Sequence, residues 1–547
     1  MGLRDQWYKN AIIYCLDVET YADSNGDGVG DFNGLIRRLD YLCALGVTCL
    51  WLLPFYPTPN RDDGYDVSNY CLVDPRLGSM ADFAEFMVEA RERGLHVICD
   101  LVPNHTSDEH PWFQEARRNR KSKYRDYYVW REEDPGDTSD RVAFPGEQDG
   151  IWTYDEQARA YYLHHFYPFQ PDLNFANPAV REEFRKVVGL WLQQGVDGFR
   201  IDAAPFLISP KGAEEARSMH HAHEFLRELK EFAAVRSGNA VLLGEVDVEL
   251  STLADYFGGG NELQALFNFP MTRYLFLALA QESADPIKFC LRELPTIPAV
   301  GQWVNFLRHH DELNMGRLTR DQREQVFARF APQPAMRSYE RGIRRRLAPM
   351  LGGDLSWLRL AYSLLFSLPG APLIFYGEEV GMGENLELQE RLSVRTPMQW
   401  TSYDYGGFSS APPRHFVRPM NADGDYGFRQ VNVGTQRADP HSLLNWLALL
   451  MRTRRECGEI GAGIWQVLDT GDDAVLGLRY DVEDSSILVF NNLSRQRRTV
   501  KLDLTEEEVQ TITDMMTDRD YEPLSAKHPR MQMNGLGYRW IRVRGIY

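Results

Sequence analysis

The feature that most constrains this chain is a rhythm. Short apolar runs rich in β-branched and aromatic residues recur along it: AIIYCLDV (11–18), GVTCLWLLP (46–54), HVICDLVPNH (96–105), GVDGFRIDA (195–203), VLLGEVD (241–247), ALFNF (265–269), WVNFLRHHDE (303–312) and APLIFYGEE (371–379). Segments with helical spacing separate them, such as FNGLIRRLDYLCAL (32–45) and MADFAEFMVEARERG (80–94), the second closing on Gly94 as a C′ residue. Strands that are apolar along their whole length are buried on both faces, which is how a parallel sheet flanked by helices is written. These units predict an α/β chain built on a (β/α)₈ TIM barrel.

Two stretches break the rhythm. Between 105 and 171 the chain turns polar and aromatic, too long for a bare loop in a compact domain, so a small inserted domain after strand 3 is expected over 106–170. A strongly charged stretch from 313 reads as a helical, lid-like excursion reaching about 370. The barrel then takes 1–105 and 171–460. From 461 to 547 alternating strands such as SSILVFNN and YRWIRVRGIY predict a C-terminal all-β sandwich domain.

With 547 residues and 44% hydrophobic content, the chain needs no disulfide staple for its core. Its net charge of −18 opposes nucleic acid or an anionic membrane as partner. The seven cysteines are odd in number, show no CxxC pair and read as reduced, buried small side chains. The opening MGLRDQWYKN lacks a basic region followed by an apolar run, and no window nears 18 apolar residues. A cytoplasmic protein without a membrane span is expected; a homo-oligomer is compatible with the sequence.

Active sites of such barrels lie at the C-terminal ends of the strands. Polar residues crowd those ends: Asp100, Asn104 and His105 on strand 3, Arg200 and Asp202 on strand 4, Glu245 on strand 5, His310 and Asp311 on strand 7. Three carboxylates at one mouth exceed what packing needs, because uncompensated buried charge is costly. A nucleophile paired with an acid/base is the requirement of retaining glycoside hydrolysis. Asp202 suits the nucleophile, since Arg200 two residues earlier shares its barrel face and would keep it ionised. Glu245 suits the acid, in a less cationic pocket that keeps it protonated.

DLVPNH (100–105), QPDLNF (170–175), GFRIDA (198–203), GEVD (244–247) and HHDE (309–312) resemble, in order, the signature regions of the α-amylase superfamily. The resemblance implies Asp202 as nucleophile, Glu245 as general acid/base and Asp311 as the transition-state carboxylate. It also implies His105, Arg200 and His310 around the reacting glucose. RDDGYDV (61–67) resembles the segment whose Asp62 bonds sugar hydroxyls and whose Tyr65 stacks on the ring; VRTPMQW (394–400) is similar to the α-glucosidase motif whose Arg395 reaches the same subsite. WLLPFYPTPNRDDGYD, YERGIRRRLAPMLGGD and LPGAPLIFYGEEVGMGEN are similar to the trehalose synthase branch, which isomerises maltose and trehalose by intramolecular glucosyl transfer. Departures fall where the second sugar binds: Ser209 replaces a Glu, VDVEL follows Glu245, and His309 replaces an Asn.

A small α-glucoside, a disaccharide, is therefore the expected substrate. Hydrolysis, transfer to another hydroxyl compound, or a non-catalytic binding subunit are the alternatives. DSNGDGVGD (23–31) spaces oxygen donors at Asp23, Asn25, Asp27, the Val29 carbonyl and Asp31, a hard set suited to a structural Ca²⁺ or Mg²⁺. Position 12 of that loop is Gly34, so it is no EF-hand. A second metal position at Asn104 and Asp172 is left open, and no organic cofactor is expected.

Overall fold

The computed structural model describes residues 6–544 except 209–214, 503, 505–507, 510 and 525–529, and not the side chains of 208–222. Each apolar run carries one strand of a closed parallel barrel: β1 Ile13–Leu16, β2 Cys49–Leu52, β3 His96–Leu101, β4 Gly198–Ile201, β5 Val241–Gly244, β6 Ala265–Phe267, β7 Gln302–Phe306 and β8 Ala371–Phe375. Neighbours in sequence are neighbours in the barrel, and β1 closes on β8 through Ile13 opposite Leu373. Period-2 alternation sends Phe199 and Ile201 to one face of β4 and Arg200 to the other, with Asp202 two residues on. Asp100 of β3 lies directly opposite Arg200 in the register, so the charges point into the same mouth. β4 opens on glycine for a steric reason: a Cβ at Gly198 would sit 2.1 Å from the Val241 carbonyl oxygen of β5.

The helices obey their end signals. Met80–Glu92 begins with a capping box between Ser79 and Asp82. Pro178–Gln193 starts on an Asn177 cap with Pro at N1, and turns Val180, Phe184, Val187, Val188 and Trp191 to the barrel.

The 106–170 insert contains the helix Pro111–Arg118 and an antiparallel sheet of Trp130–Arg131, Ala160–Leu163 and Trp152–Asp155. The excursion after β7 differs from expectation because it is only partly helical. Helix Arg320–Phe330 is bracketed by a small sheet, Leu313–Asn314 before it and Arg337–Ser338 and Gly342–Ile343 after it, and Leu355–Ser367 packs as a buried helix before β8. Arg341 Nη2 donates to the Ala143 carbonyl (2.6 Å), tying this excursion to the insert.

The C-terminal region has a five-stranded antiparallel sheet ordered Ile464–Leu468, Val475–Val482, Ser485–Asn492, Tyr538–Arg544, Ile512–Thr517, and a two-stranded one, Arg498–Lys501 with Arg530–Met533. One face of the large sheet meets the small one through Val475, Phe490, Met533 and Ile541. Its other face lies on helix Leu355–Ser367, where Trp540 Nε1 donates to Ser363 Oγ (3.0 Å) and Tyr480 Oη to the Ser367 carbonyl (2.5 Å). All seven cysteines are free; five are buried, but Cys43 is half-buried and Cys71 exposed, contrary to a uniformly buried set.

Candidate active site

Arg200 is the centre of one half of the mouth. It is almost fully buried, and its guanidinium faces three carboxylates: Nη1 reaches Asp100 Oδ1 (2.7 Å) and Asp202 Oδ1 (2.6 Å), and Nη2 reaches Glu245 Oε2 (2.8 Å). Asp202 and Glu245 thus hang on adjacent nitrogens of one fork. The Ala203 amide also donates to Glu245 Oε2 (2.9 Å), and Ala203 holds a left-handed φ of +48°, a strained corner directly after Asp202. Two expectations need correcting. Glu245 is not in a less cationic pocket, since it shares Arg200 with Asp202. Nor does Arg200 win at Asp202: burial holds that carboxyl well above the ordinary Asp range, with Arg200 pulling down and Glu245 and Asp100 pushing up. Asp100 is likewise pushed up to about 6 by burial against Arg200. Three carboxylates on one cation leave burial in charge.

The other half has the opposite balance. Asp311 Oδ1 receives Arg395 Nη2 (2.8 Å) and Arg391 Nη1 (3.0 Å), and its Oδ2 lies 3.0 Å from His310 Nε2. Burial raises the Asp311 pKa, yet His310, Arg391 and Arg395 together hold it well below the ordinary Asp range. Burial lowers His310 to about 3, against the upward pull of Asp311. Its Nε2 also meets Tyr65 Oη (2.7 Å), which donates to Asp100 Oδ2 (2.9 Å) and links the two halves. The Tyr65 and His310 rings stack at 5.6 Å. Asp62 accepts from Arg391 Nη2 and Gln170 Nε2 (both 2.8 Å). His105 is buried, its Nε2 3.2 Å from the Tyr65 carbonyl and its ring 5.2 Å from Phe166. All nine predicted catalytic and sugar-binding residues therefore belong to one connected mouth.

Sequence reasoning missed Arg391, which bridges Asp62 and Asp311. It lies in the short 3-10 helix Glu390–Val394, four residues before Arg395, and that spacing was the only signal available. It also missed the roof. Phe144 and Tyr167 of the insert and Tyr339 of the excursion converge with ring spacings of 4.8–4.9 Å, Arg391 lies over Phe144, and Glu390 accepts from both tyrosine hydroxyls. The mouth beneath is nearly closed: the side chains of Asp202, Asp311 and Glu245 are 9%, 14% and 21% exposed.

In the 23–31 loop, Asp23 accepts from the amides of Asn25, Gly26 and Gly28, Asp27 from Val29, and Asn25 from Asp27. Asp31 caps the helix Phe32–Ile36 through the Gly34 amide and also accepts from Ser24. The side chains thus fold the loop on itself, and the hard oxygen donor set of Asp23, Asn25, Asp27, Val29 and Asp31 fits Ca²⁺ or Mg²⁺ in chemistry. At the second position Asn104 Nδ2 donates to Asp172 Oδ1 (3.2 Å), while His165 Nδ1 lies 2.6 Å from Asp172 Oδ2. Ser209, singled out beside it, lies outside the described residues.

The α-amylase catalytic-domain family matches residues 16–463. The trehalose synthase/amylase of Mycobacterium tuberculosis is 38% identical over 98% of this chain and 90% of its own. The trehalose synthase of Thermus thermophilus is 40% identical over 99% of this chain and 56% of its own. Among solved structures, the alpha-amylase from H. orenii superposes with a TM-score of 0.77 at 26% identity, covering 98% of this chain and 100% of that one. A barrel with this mouth, joined to such relatives along its length, leaves one assignment: the chain is an enzyme of the α-amylase family.

Proposed function

We propose that the protein isomerises maltose and trehalose through a covalent glucosyl-enzyme, keeping the released glucose for re-attack. The observation that carries the chemistry is the pair of carboxylates on one guanidinium, Asp202 and Glu245 on Arg200, facing Asp311 across a closed mouth. Asp202 attacks the anomeric carbon as Glu245 gives its proton to the leaving oxygen, and Asp311 grips the sugar hydroxyls more tightly as oxocarbenium character develops. Asp62, His105, His310 and Arg395 hold the non-reducing glucose, with Tyr65 along its face. The freed glucose turns and returns a different hydroxyl to the same carbon, Glu245 taking back the proton. The similarity to trehalose synthases and the roof of Phe144, Tyr167 and Tyr339 support transfer over hydrolysis, because excluded water cannot intercept the intermediate.

A structural Ca²⁺ or Mg²⁺ held by the 23–31 loop belongs to the same reading, and its role is to stiffen that loop. So does a cytoplasmic location, which the free cysteines support. Among the described residues no helix is long and apolar enough to cross a membrane. Incubation with maltose, followed by NMR of the products, tests the function. Trehalose with little free glucose is expected; glucose alone rejects isomerisation in favour of α-glucosidase action. A β-anomer as the first-formed product rejects the double displacement.

A further inference from the structure

Behind the Asp311 half lies a second group of acids that the reaction does not touch. Asp17 follows β1, Glu19 stands two residues on, and Asp63 sits in the RDDGYDV turn with a left-handed φ of +53°. All three side chains are at most 8% exposed, and their oxygens lie within 4.8 Å of one another. Like charges so close and so buried repel unless a cation is shared among them.

That cation is Arg418, itself buried, from the irregular stretch before helix Val433–Ala438. Its Nη1 donates to Asp17 Oδ2 (3.3 Å) and its Nη2 to Glu19 Oε1 (2.8 Å) and Asp63 Oδ1. Other groups serve the rim: Arg76 Nη1 and Asn60 Nδ2 both donate to Glu19 Oε2, Arg76 also pairs with Asp74, and Thr20 donates to Asp17. Asp63 has its second oxygen on Arg395 Nη1 (2.6 Å), and Arg395 Nη2 goes on to Asp311 (2.8 Å). Arg418 Nη1 also holds the Arg395 carbonyl (3.1 Å). The guanidinium therefore touches Arg395 twice, once through its backbone and once through Asp63.

We infer that Arg418 is a positioning residue for catalysis: by neutralising Asp17, Glu19 and Asp63 it leaves Arg395 free to orient Asp311. Without it, Arg395 becomes the remaining guanidinium on Asp63 and is drawn from Asp311 towards the acids. The inference rests on the proposed role of Asp311 in gripping the sugar. A lysine replaces the charge but not the forked geometry that spans three carboxylates and a carbonyl.

The test uses the full-length enzyme with Arg418→Lys and Arg418→Met, each checked for folding by circular dichroism. With maltose, kcat/KM falls about tenfold in Arg418→Lys and about 10²-fold in Arg418→Met, the scale on which small misplacements from distant changes act. Crystal structures of the same variants show Arg395 shifted from Asp311. Should Arg418→Met not fold, Arg418→Lys decides. A folded variant within about twofold of wild type in kcat/KM, or one with the Arg395–Asp311 contact unchanged, overturns the inference. Wild-type enzyme inactive on every α-glucoside sinks the functional reading instead, and the crystal structures still judge Arg418.

Discussion

The two halves of the mouth are built from the same residue types and reach opposite protonation. Around Asp202 one arginine serves three carboxylates, and burial keeps the carboxyl pKa high. Around Asp311 two arginines and a histidine serve one carboxylate, which stays ionised. Burial is comparable, so the ratio of donors to acids decides. A cation-poor half can shift a proton as substrate enters, whereas a cation-rich half offers a fixed negative charge for hydroxyls to meet.

The largest break in this contrast is Asp202→Asn. The amide still accepts from Arg200, so thermal stability should hold, while kcat on maltose falls about 10⁴-fold or more, as expected for loss of a nucleophile. Rates within tenfold of wild type would move the nucleophile elsewhere. Next is Arg391→Met, which removes one of the two arginines on Asp311 and the link to Asp62. KM for maltose should rise and kcat fall, together by about 10–100-fold, because a charge-assisted contact on the sugar-binding carboxylates is lost.

A sharper probe is Asp100→Asn. Asp100 is one of the charges raising the Asp202 pKa, so its removal lets Asp202 ionise at lower pH. Activity needs the ionised form, so the acid limb of kcat/KM should move to lower pH; a limb that moves up contradicts the assignment. The smallest effect lies outside both halves. If the 23–31 loop holds a divalent cation, chelation should lower the melting temperature by about 2–4 °C without changing kcat at 25 °C.

Much of this was legible in the sequence because barrel strands announce themselves by unbroken apolar character, and each predicted run carries its strand. Asp202, Glu245 and Asp311 were legible for the same reason: a strand end fixes where its polar residue points. Arg391 and Arg418 were not. Both sit outside the barrel strands and their flanking α-helices, and their meaning comes from contacts with residues hundreds of positions away, such as Asp62 and Asp17. The charge state of Asp202 was misjudged because one neighbouring arginine is visible in sequence, while the two further carboxylates competing for it appear only when strands 3, 4 and 5 close together.

The face of Trp540 and Tyr480 against helix Leu355–Ser367 carries a practical lesson. The family match ends at residue 463, just where a cloner would place a stop codon. Such a trimmed protein would uncover the face of that helix that carries Ser363 and Ser367, and it should be sticky rather than minimal. For this enzyme the sheet beyond residue 463 is part of the hull, and removing it lets the sea in.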